Sequence, residues 1–168
     1  MTPDTAHGRT RIFIANYYCH KIQMLDEDKQ TIKTIAGYTA PMATRGSPGY
    51  TDGSLVSSMF YYPQGVAVHY NRPDQTEPVL YVSNTYYHSM RRLDLENSNS
   101  TSLSYNRGYG YADGDMRTAK FYYQRDLAFY NPNGLDPYGI LFISDGYNVI
   151  RKWDISSNEV TTLAGKKG

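Results

Sequence analysis

Four histidines, one cysteine and recurring Tyr, Asp and Arg/Lys sets are the side chains here that could do chemistry. His20 and His88 stand at equivalent points of two similar stretches, Tyr17-Tyr18-Cys19-His20 and Thr85-Tyr86-Tyr87-His88. Imidazoles at repeated positions could hold a metal. Zinc, however, takes about three or four ligands some 2 Å from one point. A third similar stretch carries Tyr147-Asn148 instead. We therefore expect these histidines to bond turn backbone. His69 ends a strand-like run and is the remaining histidine candidate for a binding role. Asp26, Asp94 and Asp154 close three similar runs, and Asp52 and Asp113 precede glycines. Aspartates at such recurring points bond local backbone amides. Calcium would need about six to eight oxygens around one point, and no Asp-x-Asp-x-Asp loop is present. No metal site and no cofactor are expected.

Arg91-Arg92 and Arg151-Lys152 recur as pairs. Alternation in a strand would send the two members of each pair to opposite faces, so a solvated face is the plain expectation. Tyrosine is the unusual residue, 18 of 168. Tyr61-Tyr62, Tyr86-Tyr87 and Tyr122-Tyr123, together with Tyr17-Tyr18, form a repeated aromatic set. Most of these rings are expected to pack between repeated units. Those left exposed would favour a protein or glycan contact. No Ser/His/Asp order, Gly-rich phosphate loop or His-Glu-x-x-His string is present.

The elements that must position these residues come from a repeat. Gly49-Tyr50-Thr51-Asp52-Gly53 returns as Gly110-Tyr111-Ala112-Asp113-Gly114, 61 positions later. Phe60-Tyr61-Tyr62-Pro63-Gln64-Gly65-Val66-Ala67-Val68 returns as Phe121-Tyr122-Tyr123-Gln124-Arg125-Asp126-Leu127-Ala128-Phe129 at the same offset of 61. Two blocks sharing one offset indicate tandem duplication. In the second unit the residues predict strands at Gly65–Tyr70, Val79–Asn84, Ser89–Leu95 and Thr101–Asn106. Each is rich in β-branched, Leu or aromatic residues and is bounded by turn formers. No long stretch keeps a helical period without a breaker.

The blocks around Pro63-Gln64-Gly65-Val66-Ala67-Val68, Leu80-Tyr81-Val82-Ser83-Asn84 and His88 to Asp94, with the unit ending Val160-Thr161-Thr162-Leu163-Ala164-Gly165, resemble the NHL repeat. The resemblance covers the chain from about residue 9 to 168. It implies an all-β fold: a partial β-propeller of consecutive four-stranded antiparallel blades. The third unit departs from it, with Gln124 and Asp126 where the second has Pro63 and Gly65. The units divide as a truncated first blade with its linker at 1–53, a second at 54–114 and a third at 115–168.

Pro3-Asp4 aligns with Pro73-Asp74 and Pro132-Asn133, in the loop after a first strand. The first unit is then expected to lack its innermost strand, leaving about 11 strands in all. Closed propellers have about four to eight blades. We expect a piece of a longer product, self-association that completes the ring, or an open arc on other subunits.

The chain's 168 residues, 40% hydrophobic, suffice for one packed domain. Lys+Arg 17 against Asp+Glu 16 leaves +1. Such balance argues against nucleic acid as a partner. The single Cys19 excludes an internal disulfide. No apolar run is long enough for a membrane helix, and Met1–Gly8 lacks the apolar core of a secretory leader. Asn99-Ser100-Thr101 matches a glycosylation sequon. The function expected is a non-enzymatic binding platform for a protein or glycan, with Tyr61, Tyr62, Tyr86, Tyr87, Tyr122 and Tyr123 as binding candidates. The family resemblance also implies two alternatives. One is a metal-assisted enzyme resembling the peptide-amidating lyase, with His69 at a central channel. The other is RNA binding through Arg91, Arg92, Arg151 and Lys152.

Overall fold

A computed structural model describes residues 2–5, 10–70, 74–104, 108–131 and 138–168. His7, Pro73, Tyr105, Asn106, Pro132 and Asn133, which fall within the stretches read above, lie outside the described residues. The chain forms three antiparallel sheets, none closed on itself, in a partial propeller-like all-β fold. The first contains β1 (Thr2–Asp4), β2 (Arg11–Asn16), β3 (Lys21–Asp26) and β4 (Thr31–Ala36), in that order. The second contains β5 (Gly53–Ser54), β6 (Pro63–His69), β7 (Val79–Asn84), β8 (Ser89–Asp94) and β9 (Asn99–Ser102). The third contains β10 (Gly114–Asp115), β11 (Leu127–Tyr130), β12 (Ile140–Asp145), β13 (Val149–Asp154) and β14 (Glu159–Gly165). The last two sheets share one order, with the short linker strand outermost: β5-β9-β8-β7-β6 and β10-β14-β13-β12-β11.

The fourth strand of the second unit, expected at Thr101–Asn106, runs Asn99–Ser102 instead. Two further features differ from the sequence expectation. Thr2–Asp4 is not a loop: it pairs with β2, Thr2 opposite Phe13 and Asp4 opposite Arg11. The first sheet therefore has an innermost strand. The free edge of β2 supplies backbone partners that even three residues can use. The Thr2 hydroxyl also donates to the Val66 carbonyl, tying β1 to β6. Second, the Asp-Gly linkers are more than turns. Gly53–Ser54 pairs with Ser100 and Asn99, and Gly114–Asp115 with Val160 and Glu159. Each adds a fifth, very short strand, which partly covers an otherwise open edge.

Period-two alternation distributes the core. The middle sheet is buried on both faces. Along β7, Leu80 and Val82 join Phe13, Ile22 and Phe60 between the first two sheets. Val79 and Tyr81 join Phe121, Leu141, Ile143 and Trp153 between the second and third. That explains the continuous Val79-Leu80-Tyr81-Val82 run. The hairpin turns use the repeated aspartates: Asp26 accepts the Lys29 amide, Asp94 that of Asn97 and Asp154 that of Ser156.

Gly65 shows why the units differ. A Cβ there would lie 2.9 Å from Leu127 Cγ and 3.0 Å from Asp126 Cα. The third unit has exposed Asp126 at this position, with no further sheet against it among the described residues. Gly65→Ala is expected to destabilise the chain by about 1–3 kcal/mol through overpacking. Urea unfolding checks this; an unchanged midpoint would mean that the two sheets separate freely here.

Candidate functional site

Antiparallel pairing gathers the tyrosines on one rim. Pro63 at the start of β6 lies opposite Asn84 at the end of β7. Tyr61-Tyr62 therefore meet the turn after β7, which holds Tyr86 and Tyr87 in a short 3-10 turn, Thr85–Tyr87. Tyr122-Tyr123 reach the same rim ahead of β11, and Tyr17 sits in the corresponding turn after β2, Tyr17–Cys19. The rings form a connected array. Centroids are 4.6 Å apart for Tyr17–Tyr62 and for Tyr62–Tyr86, and 5.1 Å for Tyr86–Tyr123. Tyr122 stacks on Tyr147 at 4.5 Å.

Two of the tyrosine pairs, Tyr61-Tyr62 and Tyr122-Tyr123, are each pinned by two side chains. The Tyr61 amide donates to Asn84 Oδ1 at 2.6 Å, and the Tyr122 amide to Asp145 Oδ1 at 3.1 Å. The following amides go to histidines of the preceding sheet. Tyr62 donates to His20 Nδ1 and Tyr123 to His88 Nδ1, both at 3.1 Å. Tyr62 (φ 50°) and Tyr123 (φ 46°) adopt the left-handed conformation. Bulky residues rarely do so without being held. The histidines are thus braces that set ring geometry across a sheet boundary.

A cavity of about 310 Å³ opens among these rings. Tyr17, Tyr86, Tyr122 and Tyr123 line it, together with Gln64 and Arg125. A hydrogen bond with Tyr86, with burial behind it, pushes the Tyr17 phenol up to about 12. It stays neutral at neutral pH. A larger cleft of about 650 Å³ lies beside the first two sheets. Its lining charges are largely committed to one another, as in Arg11–Glu77 and Lys29–Asp26.

The braces give a pH dependence. Burial, and then the Arg45 charge, holds His20 below its ordinary 6.5; burial does the same for His88. The unfolded chain therefore takes up these protons first. Stability is full above pH 6.5 and falls as pH drops from 6.5 through the lowered native values. Protonation also removes the Nδ1 acceptors. Melting temperature against pH should show this loss well above the carboxylate range. The pair His20→Asn and His88→Asn should flatten it, since left-handed Asn148 (φ 62°) stands at that position in the third sheet. A drop that persists in the pair would assign it elsewhere.

The other sequence candidates lie away from this rim. His69 ends β6, about 20 Å along the strand from Tyr62 at strand rise. It does not face an open channel. It is 3% exposed and stacked on Phe129 of the third sheet at 4.1 Å, with Tyr81 at 6.1 Å. Arg91 and Arg151 do not lie on a solvated face: both are fully buried. Arg91 donates to the carbonyls of Met59 and Thr51 and pairs with Asp52 at 2.9 Å. Arg151 donates to the carbonyls of Lys120 and Ala112 and pairs with Asp113 and Asp145. Each clamps the incoming linker to its sheet, so Asp52 and Asp113 bind an arginine rather than only capping a turn. Arg92 and Lys152 are half-buried and pair with Asp94 and Asp154. Neither arginine pair presents a basic face. Among the described residues no three His, Cys, Asp or Glu side chains are grouped to hold a metal. Among them, too, no helix is long and apolar enough to cross a membrane.

Comparison with known proteins adds the fold. No family model matches the chain, and no curated protein matches it by sequence. Solved structures do. An auxiliary nutrient binding protein from Bacteroides thetaiotaomicron superposes with TM-score 0.62 at 16% identity. The match covers 93% of this chain and 35% of that one. An auxiliary nutrient binding protein from Bacteroides ovatus gives TM-score 0.62 at 18% identity, covering 94% of this chain and 35% of that one. A Bacteroides thetaiotaomicron protein of unknown function gives 0.58 at 14%, covering 95% and 33%. The chain thus spans about a third of the length of the structures it matches, and shares their fold.

Arg125 and Gln64 were missed by sequence reasoning. One signal was available. They occupy the same position in the two repeated blocks, 61 apart. A neutral amide in one unit is a cation in the next.

Proposed function

We propose that the chain is a non-enzymatic binding module of NHL type, whose tyrosine rim engages a protein or glycan partner. The observation that carries this is the pinned tyrosine array around a concave cavity. Strained, doubly braced loops hold the rings in place before any partner arrives, which lowers the ordering cost of binding. Two solved structures of this fold are named as nutrient binding proteins. A binding role is in keeping with those names.

Electrophoresis of the full chain through gels containing single soluble polysaccharides tests it. At least one should retard the chain, and Tyr86→Ala with Tyr123→Ala should abolish the retardation. Retardation unchanged in that pair would overturn the tyrosine rim as the binding surface. If no glycan retards the chain, the glycan half fails. Turnover of a substrate that survives the same substitutions would overturn the non-enzymatic reading.

A further inference from the structure

We infer that the tyrosine-lined cavity is a subsite for an acidic sugar, a pyranose ring carrying a carboxylate or sulfate group. The inference rests on the tyrosine rim being a binding surface, and it adds the ligand's charge and size.

Three observations point this way. The first is shape. The 310 Å³ cavity lies at the low end of small-ligand clefts, about 300–1,000 Å³. It is concave, whereas an ordinary protein–protein contact uses a broad patch of roughly 800 Å² per partner. The second is ring orientation. Tyr17 meets Tyr86 at 69°, Tyr86 meets Tyr123 at 78°, and Tyr122 meets Tyr123 at 76°. The rings therefore form angled walls, which suits a small ring with an apolar face and polar edges. Gln64 adds an amide that can both donate and accept.

The third is charge. Arg125 lines the cavity and is exposed, and its guanidinium makes no ion pair among the described residues. Two carboxylates stand near it in the chain and the fold. Asp126 accepts the Leu127 amide through Oδ1. Asp145 lies beneath the Tyr122 amide and is already paired with buried Arg151. Arg125 is the one charged side chain among the residues lining the cavity. An aromatic cage with a neutral mouth would equally suit an ammonium ligand; Arg125 opposes that choice. A planar guanidinium matches a carboxylate or sulfate with two parallel hydrogen bonds.

Titration of the full chain with three oligosaccharides, followed by tyrosine ring NMR signals, tests the inference. The probes are oligogalacturonate, a sulfated galactan fragment and a neutral galactan fragment. At least one acidic probe should bind about tenfold tighter than the neutral one, the size of one charge-assisted hydrogen bond. The preference should shrink as salt rises. Arg125→Gln, at an exposed position, should remove the preference. Preference for only one acidic probe would tell carboxylate from sulfate. Equal binding of acidic and neutral probes, or a preference untouched by Arg125→Gln, would overturn the acidic sugar while the rim remains a sugar-binding surface. No ring shift with any probe would overturn both this subsite and the glycan reading beneath it.

Discussion

Arg151→Ala is expected to remove about 3–5 kcal/mol of stability, the usual effect of breaking a buried ion pair from one side. Arg151 and Asp145 are both fully buried as side chains, 3.3 Å apart. Losing the guanidinium strands a carboxylate that burial already pushes above its ordinary range. It also frees two linker carbonyls, Lys120 and Ala112. Part of the loss should return when Asp145→Asn is added, because the stranded charge is gone while a side-chain oxygen remains for the Tyr122 amide. Urea unfolding of the single and double variants measures this. A single-variant loss within about 0.5 kcal/mol, as for ordinary surface changes, would show that the clamp carries no weight. The same contacts reach the rim, since Asp145 holds Tyr122. Ring signals of Tyr122 should therefore shift in Arg151→Ala even where the fold survives.

Phe60→Ala should cost about 3–5 kcal/mol by opening a cavity between the first two sheets. Phe60 is fully buried among Phe13, Ile22, Leu80 and Val82. The Arg91 guanidinium lies 5.2 Å over its ring, so the substitution also removes an aromatic face from a buried cation. Phe60 immediately precedes Tyr61-Tyr62, and its carbonyl accepts the Gly49 amide. Loosening it should free the left-handed Tyr62 loop as well as lower the unfolding midpoint. Phe60→Leu should recover most of the stability, since it keeps most of the volume. If Phe60→Ala unfolded at the parent's midpoint, the two sheets would not share one core.

Both predictions arise from one feature of the repeat: linker, buried arginine and aromatic residue recur together. The recurrence was legible in the chain. Phe60 and Phe121, Asp52 and Asp113, and Arg91 and Arg151 all stand out as repeated residues. Their joint role was not. Alternation along a strand predicts which residues share a face, but not whether another segment covers that face. The linkers do cover it, so Arg91 and Arg151 are interior clamps rather than a basic surface. His69 was misplaced for the same reason. Position at a strand end says nothing of the Phe129 ring that the next sheet stacks on it.

The order of residues was enough for the all-β fold, the first three strand runs of the second unit, the turn aspartates and the offset of 61 that sets the repeat. These are local properties, carried by alternation, turn chemistry and composition. The folded chain was needed to show that Thr2–Asp4 is a strand and that His20 and His88 brace the next sheet's tyrosines. It was needed again to bring Arg125 into one cavity with four rings from three units. Each depends on how adjacent sheets meet, a contact between segments tens of residues apart that no local pattern encodes.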